Sequence, residues 1–279
     1  MRLRLFHAPD GARVAYREAG TGPGLAILHS GLLSHREFVP VVEHLADRFR
    51  VVLPDLPLHG DSEDRSRHPY TLDWFAEVMG AFCRETCGPR PLVAGHDLGA
   101  DVLLHATATR RLRPGRLVLM ASRLHGPSRD SPLHRRWRPL VQLGRLPGLD
   151  RAAARAAPRV VRPALGEKLA AEAGPAARDL VRHAFMDVAG NPNLVHSWAK
   201  AARWWPRDAR RDLLDAYPSI DAKVLLLWAD RDQQHPLRAA EEALDLFPDA
   251  QLRVLPGTGF LIAYDDPVGV ARELGAFCG

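Results

Sequence analysis

The segment Gly95-His96-Asp97-Leu98-Gly99 presents one carboxylate between two glycines, at the point where an apolar run, Leu92 to Ala94, gives way to a helical pattern, Leu98 to Arg110. A glycine on each side lets the backbone turn sharply without steric conflict, and the helix that follows supplies free backbone N–H groups and the positive end of its dipole. A carboxylate held there can attack an electrophilic carbon or move a proton. Burial under an apolar cover raises its pKa and the helix N-terminus lowers it, so its protonation depends on which neighbours the fold supplies.

The elements that must position Asp97 are legible in the apolar pattern. Alternating residues in Arg2 to His7 and Ala12 to Glu18, joined through Pro9-Asp10-Gly11, predict an antiparallel hairpin. Short continuous apolar runs follow at Leu25 to Leu28, Val51 to Leu53, Leu92 to Ala94, Leu117 to Met120, Val224 to Trp228 and Leu252 to Leu255. Such runs are the mark of strands buried on both faces of a parallel sheet. Helical patterns lie between them, at Ser34 to Ala46, Thr71 to Cys87, Leu98 to Arg110, Pro236 to Phe247 and Pro267 to Phe277, so a doubly wound α/β sheet is expected. Thr71 and Asp266 stand where helix caps belong, the latter followed by Pro267.

From about Gly126 to Asp208 the alternation stops and prolines accumulate, with helical stretches around Gly166 to Ala173 and Ala176 to Val188. The expected organisation is therefore a core of residues 1–125 and 209–279 with a helical cap, residues 126–208, inserted between two strands. The aromatic residues Trp137, Phe185, Trp198, Trp204 and Trp205 either line a pocket or seat the cap on the sheet.

With 279 residues, 46% of them apolar, the chain can bury a large core. No apolar run is long enough to span a bilayer and the N-terminus has no signal-peptide pattern, so no membrane association and a cytoplasmic location are expected. Cys83, Cys87 and Cys278 form no even framework, and their spacing suits free thiols better than metal ligands; no metal site is expected. Net charge is +5, and between Arg110 and Arg162 fourteen arginines face only Asp130 and Asp150. That basic run is a solvated face or an attraction for an anionic substrate or acidic carrier protein; with Trp137 as its one aromatic platform, it gives no support to nucleic-acid binding.

Taken together, these motifs resemble the α/β-hydrolase superfamily over nearly the whole chain. Gly95-x-Asp97-x-Gly99 has the form of its nucleophile elbow. Leu28-His29-Ser30-Gly31, continued by Ser34-His35-Arg36-Glu37-Phe38, resembles its oxyanion loop, with Ser30 where glycine is usual. Asp55 to Ser62 looks like the loop after the fourth strand, with Leu58 replacing the common glycine. Trp228 to Asp232 resembles the segment that carries the catalytic acid. The resemblance implies Gly31 and Leu98 as backbone donors to an oxyanion, Asp232 as the acid, no cofactor, and a mid-sized apolar or aromatic small molecule as substrate. Aspartate at the elbow is similar to epoxide hydrolases and to haloalkane and fluoroacetate dehalogenases, where the carboxylate forms an ester that a histidine hydrolyses with water.

The chain departs from that pattern at Pro256-Gly257-Thr258-Gly259-Phe260, where Phe260 takes the histidine's position and can neither accept a proton nor bond Asp232. Leu98 stands where many dehalogenases have tryptophan, and none of the four tyrosines lies in the cap. His125, just past the sixth strand, is the first candidate to substitute for the missing imidazole, His35 the second and His235, close after Asp232, the third; His96 should point away from Asp97, and His29 should brace its loop. Phe260, His35 and Trp198 are candidate substrate contacts. The expectation is a site without its usual histidine, performing lyase, isomerase, cyclase or carbon–carbon bond-forming chemistry with Asp97 as general acid or base. The alternatives are hydrolysis of an ester, epoxide or alkyl halide with a relocated histidine, and an inactive ligand-binding member.

Overall fold

The computed structural model describes residues 1–65, 67–126, 171, 174–190, 194, 197, 198, 200, 201 and 210–279. The expected hairpin is formed by β1 (Arg2–His7) and β2 (Arg13–Ala19), its turn closed by the Gly11 N–H on the Ala8 carbonyl. The strands β3 (Gly24–Leu28), β4 (Arg50–Pro54), β5 (Leu92–His96), β6 (Arg116–Met120), β7 (Lys223–Ala229) and β8 (Ala250–Leu255) follow. They complete one eight-stranded sheet in the order β1-β2-β4-β3-β5-β6-β7-β8. Only β1–β2 and β2–β4 pair antiparallel; from β4 to β8 every pair is parallel.

The continuous apolar runs have the expected cause. Val93 and Leu117 pack into one hydrophobic layer while their neighbours Ala94 and Val118 pack into the other, so both faces of the sheet are buried. The first layer is shared with α2 (Leu72–Cys87) and α3 (Leu98–Ala108), the second with α1 (Val39–Val42) and α8 (Pro267–Cys278). Thr71 Oγ1 accepts from the Trp74 N–H and Asp266 from the Gly269 N–H, as their cap positions require. The helix expected over Ser34 to Ala46 is instead a 3₁₀ turn, His35–Phe38, followed by the single turn of α1. Pro40 explains the break: it has no N–H with which to continue the ladder back to residue 36.

Of the expected cap, the described part contains α4 (Pro175–Gly190), which matches the helical stretch expected over Ala176 to Val188. Ala177, Leu180 and Ala184 on α4 cluster with Leu33, Phe260 and Leu261, which seats this helix over the C-terminal ends of the strands. Trp137, Trp204, Trp205, most of the stretch Gly166 to Ala173 and nearly all of the basic run beyond Arg123 lie outside the described residues. The chain returns through α5 (Arg211–Ala216) to β7, and the helices α6 (Leu237–Leu244) and α7 (Ile262–Asp265) complete the core. Among the described residues no helix is long and apolar enough to cross a membrane.

Candidate active site

Asp97 is the residue between β5 and α3, with φ 46° and ψ −109°. An L-residue is strained in this left-handed region, at a cost of about 1–3 kcal/mol, and such strain persists where the surrounding fold enforces it. The enforcement comes from the two glycines. A Cβ on Gly95 would lie 2.5 Å from the Gly99 carbonyl carbon, and one on Gly99 would lie 2.5 Å from the Leu28 carbonyl oxygen. Strand, turn and helix therefore close on one another only because neither position carries a side chain, and the Asp97 carboxylate is held out at the end of the sheet, where ligands bind in open α/β folds.

The loop after β3 supplies the first partner of that carboxylate. Gly31 N–H donates to Asp97 Oδ2 at 3.0 Å. The loop is braced by imidazoles that are used up as hydrogen-bond groups: His29 Nδ1–H donates to the Ser30 carbonyl and its Nε2 accepts from Leu56 N–H, while His59 Nδ1–H donates to the Pro57 carbonyl and its Nε2 accepts from Leu32 N–H. Burial, and then the neighbouring His29, push His59 down to about 3, so it stays neutral and can accept. Leu58 adopts φ 72°, which is the reason glycine is the common residue at its place in the resembled loop.

The second partner is His235. Its Nε2 lies 3.3 Å from Asp97 Oδ1 and its Nδ1 lies 2.9 Å from Asp232 Oδ2. Asp232 is itself fixed, its Oδ1 accepting from Gln234 N–H at 2.7 Å and from His235 N–H at 3.3 Å. Burial alone would lower the pKa of His235, but hydrogen bonds to Asp232 and Asp97 and the charges of both push it up to about 10. Asp97 responds in the opposite sense: burial would raise its pKa, yet the hydrogen bond and charge of His235, with smaller contributions from His96 and Gly31, hold it well below the usual carboxylate range. The resting site is an imidazolium shared between two carboxylates. The neighbour that decides the protonation of Asp97 is His235, whose hydrogen bond and charge together outweigh burial.

Phe260 takes up the remaining side of the imidazole. Its ring is nearly parallel to that of His235, 19° between planes with centroids 5.9 Å apart, and lies 4.8 Å from that of His96. The expectation of a site without histidine is thus corrected: the fold brings an imidazole to Asp97, but from the loop after β7. His125, ranked first, is not the one. Its ring packs against Tyr217, its carbonyl accepts from Arg210 N–H, and its Nδ1 has no partner among the described residues. Five residues beyond β6 the chain has already turned toward the insertion, which carries His125 away. His35 is also displaced from substrate contact, with Nδ1 2.8 Å from Asp55 Oδ1 and its N–H on the same oxygen, a brace for the loop. His96 points away from Asp97, as expected, onto Glu37. Leu98 opens α3 with its side chain beside Gly31, and Trp198 stacks edge-on against His59 over a small cleft lined by Leu32, Leu33, Leu58 and Leu194. The signal that marks His235 is its spacing from Asp232, one turn along the chain, which lets an acid and an imidazole meet locally.

A family model described as alpha/beta hydrolase fold matches residues 23–267. An uncharacterized protein of Mycobacterium tuberculosis is 28% identical over 273 residues, covering 94% of this chain and 77% of that protein. A pimeloyl-[acyl-carrier protein] methyl ester esterase of Stenotrophomonas maltophilia is 39% identical over a 90-residue segment, 32% of each chain. Among solved structures, an alpha/beta hydrolase fold protein from Burkholderia ambifaria superposes with a TM-score of 0.80 at 23% identity, over 97% of this chain and 96% of that one. The doubly wound sheet expected from the apolar runs is the fold this chain shares with the Burkholderia ambifaria structure.

Proposed function

Because the chain belongs to the α/β-hydrolase fold family, we propose that it is a hydrolase in which Asp97 is the nucleophile and His235, oriented by Asp232, activates water. The observation that carries this reading is the single imidazole bridging the two carboxylates, Nε2 on Asp97 and Nδ1 on Asp232. Nucleophile, base and orienting acid within hydrogen-bond reach of one another form the arrangement that covalent catalysis needs.

In the first step Asp97 Oδ1 attacks a saturated electrophilic carbon of the substrate, an epoxide or alkyl halide. The bond to the leaving group breaks with its electron pair, and Asp97 becomes a neutral ester. That neutralisation is what arms the base, since one of the two charges holding the proton on His235 has gone; the imidazolium releases it to the leaving group or to solvent. Neutral His235 then takes a proton from water as the water oxygen adds to Asp97 Cγ. Negative charge develops on Oδ2, already seated on Gly31 N–H, where a preorganised donor is most effective. Collapse expels the product alkoxide, which takes the proton from His235, and the second proton of the water then passes from the new Asp97 carboxyl to His235, restoring carboxylate and imidazolium. The aspartate's own oxygen occupying the oxyanion position supports nucleophilic use, because a substrate carbonyl would have to displace it.

A second reading, non-hydrolytic proton transfer between Asp97 and His235, is favoured by one feature: at 3.3 Å the two groups are in direct contact. The His235→Gln variant separates the readings. Exposed to a panel of epoxides and alkyl halides, it should retain Asp97 alkylation and accumulate an ester adduct of the corresponding mass, because only the second step needs the base. Absence of any adduct, together with turnover by the unaltered protein of a substrate that takes up no solvent oxygen, would favour proton transfer.

A further inference from the structure

A second carboxylate–imidazole pair lies behind the elbow, and the proposed hydrolytic cycle does not use it. Glu37, on the 3₁₀ turn after the oxyanion loop, is completely buried. Its Oε2 accepts from Ser30 N–H at 2.7 Å and from Ser30 Oγ at 2.9 Å, and its Oε1 is 2.5 Å from His96 Nδ1. The two residues it joins are the ones that precede the working groups: Ser30 comes immediately before the donor Gly31, and His96 immediately before Asp97. They belong to different segments, the loop after β3 and the end of β5, and beyond the strand pairing the closest tie between the working groups themselves is the 3.0 Å bond from Gly31 N–H to Asp97 Oδ2. The imidazoles of His29, His59 and His35 tie the oxyanion loop to the loop after β4, and besides Glu37 a single backbone bond, from Gly99 N–H to the His29 carbonyl at 3.2 Å, ties it to the elbow among the described residues.

We propose that Glu37 is a positioning residue that clamps the oxyanion loop to the nucleophile elbow and so fixes the donor Gly31 N–H against Asp97. A buried carboxylate accepting three hydrogen bonds is costly to form and therefore stiff once formed, since losing either partner leaves a buried polar group unsatisfied. Displacing an oxyanion donor by a fraction of an ångström weakens the step in which charge grows on Oδ2 and leaves the initial attack by Oδ1 much less affected. This consequence rests on the nucleophilic reading; the clamp itself does not.

The experiment compares Glu37→Leu, which removes all three bonds at similar volume, Glu37→Gln, which keeps an acceptor for Ser30, and Ser30→Ala, which removes one bond and should fold normally. Two readouts are taken: hydrogen exchange of the Gly31 amide in the free protein, and rapid-quench mass spectrometry of the Asp97 adduct. Expected are faster Gly31 exchange relative to the β3 amides, and an ester-hydrolysis rate lowered by about 10-fold or more in Glu37→Leu, with Glu37→Gln and Ser30→Ala intermediate and alkylation changed much less. If Gly31 exchange is unchanged in Ser30→Ala and Glu37→Gln, the clamp is refuted. Equal slowing of both steps would also overturn it. If no adduct forms even in the unaltered protein, the nucleophilic reading fails instead, and Gly31 exchange alone decides for or against the clamp.

Discussion

Replacing Asp97 with asparagine should let His235 lose its proton near neutral pH. The amide has nearly the shape of the carboxylate but carries no charge, as the ester in the proposed cycle does. At the 3.3 Å separation of His235 Nε2 and Asp97 Oδ1, an effective dielectric of about 20 gives an attraction of roughly 5 kcal/mol between unit charges, equivalent to about 3–4 pH units in the imidazole's midpoint. The midpoint of about 10 in the unaltered site should fall by that amount in Asp97→Asn. Asp232→Asn should produce a drop of similar size, since Asp232 is at 2.9 Å. The assay is a pH titration of the ring-nitrogen NMR signals in protein labelled with ¹⁵N-histidine, His235 being assigned by the loss of its signals in His235→Gln. A midpoint near the ordinary 6.5 in the unaltered protein, or the same midpoint in both proteins, would refute the argument that esterification of Asp97 is what converts His235 into a base.

Three further outcomes follow from the geometry. Gly99→Ala forces a Cβ to within 2.5 Å of the Leu28 carbonyl oxygen, so urea unfolding should show a loss of about 1–3 kcal/mol and the site should be lost along with the elbow. Phe260→Ala removes the ring that packs beside His235 and under α4; large-to-small replacement of a buried phenylalanine costs about 3–5 kcal/mol, measurable by the same unfolding assay. Burial alone would raise Asp55, but its hydrogen bonds with the His35 ring and backbone N–H and the charge of His35 hold it down to about 2 against an ordinary 3.8. A depressed carboxylate stabilises the fold above its unfolded pKa and loses that contribution as pH falls through the folded value, so about 2 kcal/mol should disappear between about pH 4 and pH 2, and this portion of the acid dependence should be absent in Asp55→Asn.

The elbow, the two-sided strands and the hairpin were legible because each is dictated locally: the glycines at 95 and 99 by close approach, the apolar runs by burial on both faces, and Pro9-Asp10-Gly11 by turn geometry. The stretch from Ser34 to Ala46 reads as one helix because its apolar period is helical, yet Pro40 breaks the ladder, and periodicity does not register a missing N–H. The histidine was harder. Spacing could flag Asp232 and His235 as a pair, but that this pair reaches Asp97 depends on how far the loop after β7 leans toward the end of β5, which is set by tertiary packing around Phe260 and not by any local signal. His125 had the better position on a strand-order argument and was carried off by the turn into the insertion. Glu37 gave no signal at all, since a glutamate beside His35 and Arg36 reads as an exposed charge until the fold buries it between Ser30 and His96.

The central claim is that Asp97 forms an ester which His235 hydrolyses at Cγ. Its most direct test is turnover of a substrate found in the trapping screen in ¹⁸O-enriched water, followed by mass spectrometry of the peptide containing Asp97. The account predicts that solvent oxygen enters the Asp97 carboxylate, and that the first turnover delivers unlabelled aspartate oxygen to the product. Label passing from water straight into product, with the Asp97 carboxylate unlabelled after many turnovers, would contradict it.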